Sequence, residues 1–127
     1  MERNFVEAKK GPSPAGPYSA AVWAGDFLFL SGQVALEPSS MKLVEGGIIA
    51  QAERVFDNIE AVLADAGLSM DDVVKTTVYL TSAEDFTAVN EVYKTRLKPP
   101  FPARTTVAVS GLPLGALIEV EALAVKR

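Results

Sequence analysis

The sequence predicts an α+β fold: a mixed β-sheet with two helices packed on one face. Three observations predict it. Amphipathic helical periodicity occurs twice, over about 47–66 and 83–97. Alternating or β-branched apolar runs lie before, between and after those segments. Each helix runs almost directly into a strand, so both can cover the same side of one sheet. At 127 residues with 49% apolar content, the chain reads as one domain, 1–127, with a core of its own.

The elements follow in order. A short strand near 4–6 leads into an arm that carries three prolines up to Pro17. Residues 19–24 and 27–35 flank Ala24-Gly25-Asp26-Phe27, a turn signal, and read as a hairpin. EPSSMKLVEGG is a loop. Ile48, Ala52, Val55, Phe56, Ile59, Val62, Leu63 and Ala66 form the apolar stripe of the first helix, and Gly67 stops it. SMDD is a capped single turn, and 73–81 is a β-branched strand. Ser82 caps the second helix, with Asp85 placed to complete a weak capping box. Its stripe is Phe86, Val89, Tyr93 and Leu97, and KPPFP ends it. Strands 103–110 and 116–125, joined by GLPLG, read as sheet neighbours.

Both alternating faces of FLFLSGQV and ALIEVEALAV are apolar. A sheet with one wet side does not read that way. Two helices cover one face only, so the other is expected to pack against further copies of the chain.

Composition removes many functions. The net charge is −4, with no basic run, so a nucleic-acid partner is not expected. There is no His and no Cys, which excludes Ser-His-Asp and Cys-His catalysis, ordinary zinc sites and disulfides. No carboxylate pair has metal-ligand spacing, and the glycines match neither phosphate-binding pattern. No leader, spanning segment or lipidation motif is visible, so the expectation is a cytoplasmic protein with no membrane partner.

Two charged residues stand out in apolar strands. Arg104 shares a strand face with Thr106, Ala108 and Ser110, and Glu119 lies in the final strand. Spacing alone favours a cross-strand ion pair. The functional reading is an Arg that grips a carboxylate in a two-point fork, beside a Glu that handles a proton or a water. Asn90 falls on the apolar stripe of the second helix, and the expected role is a buried amide bonded to backbone across the packing seam. Tyr18 enters the first hairpin strand, where packing is the commoner role. Gly32, after Ser31, interrupts an apolar strand and points to a bulge or a close backbone approach.

These pieces also occur together in a known order. GPYSAA at 16–21, SGQVAL at 31–36, FTAVNEVY at 86–93, PPFPARTTV at 99–107 and LPLGALIEVEALA at 112–124 resemble the YjgF-type Rid proteins. Within them the resemblance is to the RidA branch of reactive-intermediate deaminases, and it spans nearly the whole chain. It implies a chorismate-mutase-like fold and a homotrimer whose sheets form a central barrel, with ligand clefts between subunits. The implied activity is hydrolysis of 2-imino or enamine acids to 2-oxo acids and ammonia, with no cofactor. By resemblance, Arg104 binds the substrate carboxylate and Glu119 positions water. Tyr18 and Asn90 line or support the cleft, and Ser31 and Gly32 supply backbone that reaches the ligand. Thr106 stands where some members carry Cys, and Ala20 where many carry Gln. Two alternatives remain open: a trimer that only binds small carboxylic or 2-oxo acids, and a chaperone-like regulatory role. Ribonuclease activity, attached to some relatives, is disfavoured by the acidic balance and the lack of His.

Overall fold

The computed structural model describes residues 3–127. Six strands and two α-helices follow in the order β1 (Arg3–Val6), β2 (Ala21–Ala24), β3 (Phe27–Gln33), α1 (Gly47–Asp65), β4 (Val73–Leu80), α2 (Phe86–Arg96), β5 (Ala103–Ala108) and β6 (Ile118–Val125). They form one mixed sheet in the order β1-β2-β3-β6-β4-β5. Only β4 and β5 pair in parallel. The predicted class and the predicted elements are present, with ends that differ by a few residues.

One pairing differs from expectation. β5 and β6 are not neighbours, because β4 lies between them. The eight residues of β6 pair antiparallel with both β3 and β4, which makes β6 central. The connection 109–117 is not a hairpin turn. It passes over the end of β4, where Val109 N–H donates to Leu80 O at 2.7 Å and Thr81 N–H donates to Leu117 O at 3.2 Å. Leu114 and Gly115, at φ 61° and 72°, turn the chain back there.

Both helices lie on one face of the sheet. Leu28, Leu30, Val78, Leu80, Ile118, Val120 and Ala124 point from the strands into the core, and Val55, Phe56, Ile59, Val62 and Leu63 meet them from α1. Tyr93 of α2 joins them, its ring edge-on to Phe56 at 5.6 Å and 81°. The stripe of α1 also carries two buried amides that periodicity did not reveal. Gln51 Oε1 accepts from Leu117 N–H at 2.9 Å, and Asn58 Nδ2 donates to the carbonyls of Val34 and Leu36. They tie the loop backbone to the helix, as buried polar groups must be tied.

Local signals explain the helix ends. After α1, Gly67 at φ 79° allows Leu68 N–H to reach Leu63 O and Gly67 N–H to reach Ala64 O, the two bonds of a Schellman stop. The capping box forms at Ser69 with Asp72. It does not form at Ser82, whose side chain accepts only from Glu84 N–H and starts a short 3-10 turn ahead of α2. Asp85 sends no reciprocal bond back to the Ser82 N–H.

The opposite face is open along the strands. Phe5, Phe27, Phe29 and Val107 are exposed on it, Phe5 at 69% and Phe29 at 52%. That is the uncovered apolar face the strand patterns predict. No helix among the described residues is long and apolar enough to cross a membrane.

The N-terminal arm is held by one carboxylate. Asp65, at the end of α1, accepts from the backbone N–H groups of Lys9, Lys10 and Gly11. Burial works against its charge, but these bonds and the Lys10 charge outweigh it and hold the carboxyl below its ordinary range. A lowered folded-state value adds stability above the unfolded value, and that stability is lost as pH falls through the folded one. Asp65→Ala should therefore lose on the order of 1 kcal/mol near pH 7 in urea unfolding, and should converge on the parent at acid pH, once the folded-state carboxyl is protonated. An equal deficit at both pH values would show that the charge is not what holds the arm.

Candidate functional site

The candidate residues fall into two groups on opposite faces of the sheet. Arg104 stands in register with Thr76 of β4, whose side chain is buried under the helices. Glu119 stands in register with Tyr79, and its neighbours Ile118 and Val120 point into the helix-side core. Alternation therefore puts Arg104 on the helix side and Glu119 on the open side. The two do not form the cross-strand pair that a β5–β6 hairpin would have made.

The Arg104 group is built on α2. The guanidinium lies over the Tyr93 ring, 4.8 Å from carbon to centroid. Tyr93 is itself fixed, because its hydroxyl and that of Thr76 are 2.7 Å apart and buried. Arg104 Nη1 donates to Asn90 Oδ1 at 2.9 Å. Asn90 is exposed and holds the arginine from the side, so the expectation of a buried amide bonded to backbone is corrected. Its place one turn from Tyr93 puts it at the margin of the stripe, where the edge strand leaves it open. The platform role of Tyr93 was hidden in the sequence, where the residue reads only as core. A cleft of about 370 Å³ is lined by Asn90, Tyr93, Lys94, Phe101, Pro102 and Arg104. Thr106, two residues along β5, has a buried hydroxyl with no partner among the described residues.

The Glu119 group is built around a bulge. Leu30 pairs with Ala122 and Gln33 with Val120, so Ser31 and Gly32 together stand opposite Glu121. The predicted irregularity at Gly32 is therefore present. Ser31 Oγ donates to Ser19 O at 2.6 Å and Ser31 N–H donates to Ala20 O at 3.0 Å. Both Ser31 donors thus fix the 16–20 segment and, with it, Tyr18. The Tyr18 ring is exposed at the mouth, and its hydroxyl accepts from Ala15 N–H at 3.3 Å. Gly32 packs directly on Glu119: a Cβ at this position would sit 2.0 Å from Glu119 Oε2. A cleft of about 510 Å³ joins Tyr18, Ser31, Gly32 and Glu119 to the apolar side chains of Val34, Leu36 and Leu114. Burial, and then the charge of Glu121, push the Glu119 carboxyl above its ordinary range.

A larger cleft, about 610 Å³, lies elsewhere, between the β2–β3 turn and the end of α1. It holds none of these residues, and the Arg127–Asp72 ion pair at 2.9 Å occupies its wall. Among the described residues no His, Cys, Asp and Glu cluster has the makings of a metal centre.

Two half-sites thus offer complementary chemistry. One presents a braced, exposed cation. The other presents a carboxylate of raised proton affinity in an apolar wall. The Endoribonuclease L-PSP family model, which describes the YjgF/Rid proteins, matches residues 8–126. The chain belongs to the YjgF/Rid family. It is 45% identical over 127 residues to a RutC family protein of Pyrococcus abyssi, with 100% of both chains covered. It is 43% identical to the 2-iminobutanoate/2-iminopropanoate deaminase of Mus musculus, covering 98% of this chain and 92% of that one. The crystal structure of RidA from the Antarctic bacterium Psychrobacter sp. superposes at a TM-score of 0.92 with 43% identity, covering 96% of this chain and 98% of that one.

The contact between Gly32 and Glu119 is directly testable. In Gly32→Ala the Glu119 side chain has to yield from Cγ outward, because its Oε2, Cδ and Cγ would lie 2.0, 2.9 and 3.1 Å from the new Cβ, so the melting temperature should fall. The Glu119 carboxyl carbon, observed by NMR, should shift because the carboxylate is driven off the bulge. An unchanged Glu119 signal would mean that Gly32 does not set its position.

Proposed function

We propose that this chain is a hydrolytic deaminase of small 2-imino acids and their enamine tautomers. On this reading it converts 2-iminobutanoate and 2-iminopropanoate, the tautomer of 2-aminoacrylate, to 2-oxo acids and ammonia. Family membership and the name of the Mus musculus relative support the reaction class. The observation that carries the reading is the pairing of chemistries: a braced Arg104 on one face and a half-buried Glu119 of raised proton affinity on the other.

These two groups do not meet within one chain. The reading therefore places the reaction between neighbouring copies, with the Arg104 edge of one copy set against the Glu119 face of the next. The exposed apolar face supplies a surface for such packing. A ring of three copies with the sheets inside is what the family resemblance implies.

The steps follow from the residues. Arg104 grips the substrate carboxylate through donors that Asn90 and Tyr93 hold in place. Tyr18 and the Gly32 backbone bound the space for the iminium end. Glu119, as carboxylate, orients a water and takes a proton from it as its oxygen bonds to C2. The C=N bond becomes a single bond and a carbinolamine forms. Glu119 returns the proton to nitrogen, the C–N bond breaks as Glu119 takes the hydroxyl proton and the 2-oxo group forms, and that proton leaves with the ammonia as ammonium. The iminium carbon is already electrophilic, so orientation and one general base supply the acceleration. Neither a covalent intermediate nor an organic cofactor is required.

The test is a coupled assay. A threonine dehydratase generates 2-iminobutanoate, and semicarbazide traps what remains. The parent should lower the trapped fraction. Glu119→Gln should lose ~10²–10⁴-fold in kcat. Arg104→Lys should lose about tenfold to a hundredfold in kcat/KM, because an ammonium does not reproduce the fork. Saturable 2-oxo acid binding by a folded parent without any acceleration would contradict the enzyme and select the binding-only reading.

A further inference from the structure

Glu119 is not the only carboxylate on its side of the cleft. Glu121 lies two residues along β6 and therefore on the same open face. Two like charges at this spacing repel, and more strongly where apolar neighbours such as Phe29 and Leu123 thin the water. A strand selected only for packing would avoid the arrangement or neutralise it.

The chain does neither. The titratable groups facing this pair are Lys75 and Tyr79 of β4 and, across the cleft from Glu119, Tyr18. Lys75 is engaged elsewhere, its ammonium donating to Thr105 Oγ1 of β5 at 2.9 Å. Tyr79 stands directly opposite Glu119 in the register but sends its hydroxyl diagonally to Glu121, donating to Oε1. Across β3, the bulge leaves Ser31 and Gly32 opposite Glu121, and neither carries a charge. Glu121 is thus tied in place by a neutral donor, beside a glutamate that forms no ion pair among the described residues.

We infer that Glu121, fixed by Tyr79, is a positioning residue whose charge sets the basicity of Glu119 in the proposed reaction. The inference rests on the deaminase reading for its purpose but not for its physics. A carboxylate of ordinary proton affinity is a weak base at neutral pH, and a neighbouring anion makes it a stronger one without adding a group to the reaction. The directions of the two perturbed groups agree with this geometry. The hydrogen bond to Glu121, burial and the glutamate charges hold the Tyr79 proton more tightly than usual. Burial and the charge of Glu121 do the same for Glu119.

The sign of the effect is fixed. Removing the Glu121 charge lowers the proton affinity of Glu119. The acid limb of kcat/KM, which reports Glu119 losing its proton, then moves to lower pH. Glu121→Gln keeps the size of the side chain and should move that limb down by roughly one unit, the order of shift a neighbouring charge produces. NMR titration of the Glu119 carboxyl carbon should move by the same amount in the same direction. Tyr79, followed by phenolate absorbance, should ionise at lower pH in this variant. Glu121→Asp keeps the charge and should leave the Glu119 midpoint near that of the parent, which separates charge from packing. An unmoved Glu119 midpoint in folded Glu121→Gln, or an equal shift in Glu121→Asp, overturns the inference. If the midpoint moves as predicted but parent and variant alike fail to hydrolyse the imine, the coupling stands and the deaminase reading falls.

Discussion

The position of β4 between β5 and β6 governs everything else in this molecule. Side chains alternate across a sheet, so the registers Thr76–Arg104 and Tyr79–Glu119 send the two charged groups to opposite faces. Had β5 and β6 formed the hairpin their short connection suggests, Arg104 and Glu119 would have neutralised each other as a surface ion pair. Separated, each keeps its own chemistry. The arginine lies exposed on an aromatic platform, and the glutamate sits in an apolar cleft that favours its proton. On the proposed reading the separation leaves each half-site incomplete within one chain, and it gives the exposed apolar face of the sheet a purpose beyond packing.

Each half-site is held by short-range devices from a different part of the chain. On the helix side, Thr76 fixes the Tyr93 hydroxyl, Tyr93 supports the guanidinium, and Asn90 restrains it laterally. On the open side, the bulge at Ser31 and Gly32 brings bare backbone against Glu119, while Ser31 holds the Tyr18 segment. Pre-organisation of this kind lowers the cost of ordering when a small anion arrives. It also fits a reaction that asks for orientation and a single proton carrier.

The elements were legible in the sequence because their signals are local. The stripe from Ile48 to Ala66, the stop at Gly67 and the bulge at Gly32 are each written within a few residues. The uncovered sheet face was legible too, since FLFLSGQV and ALIEVEALAV are apolar on both sides. Strand order was not. A turn such as GLPLG permits a hairpin, and only competition among strands for the sheet centre, decided by long-range pairing, gives β6 two antiparallel partners. The same gap explains the site. Arg104, Glu119, Tyr18 and Gly32 were found as oddities or by family resemblance, but their division between two faces depends on topology. Tyr93, Tyr79 and Glu121 were passed over because each is ordinary in its own segment and becomes informative only through a partner on another element. Asn90 was misread for a related reason: periodicity put it against the core, while the edge position of β5 leaves it exposed beside Arg104.

A site shared between copies can be tested by mixing two defects. Arg104→Ala and Glu119→Gln chains, each inactive alone, would be co-refolded in equal amounts and assayed for imine hydrolysis. If each site takes Arg104 from one copy and Glu119 from its neighbour, mixed assemblies regain intact sites. The activity should then recover to about a quarter of the parent level, whatever the number of copies in a closed ring. A mixture as inactive as its two components, although hybrid assemblies form, would contradict a site built from two copies.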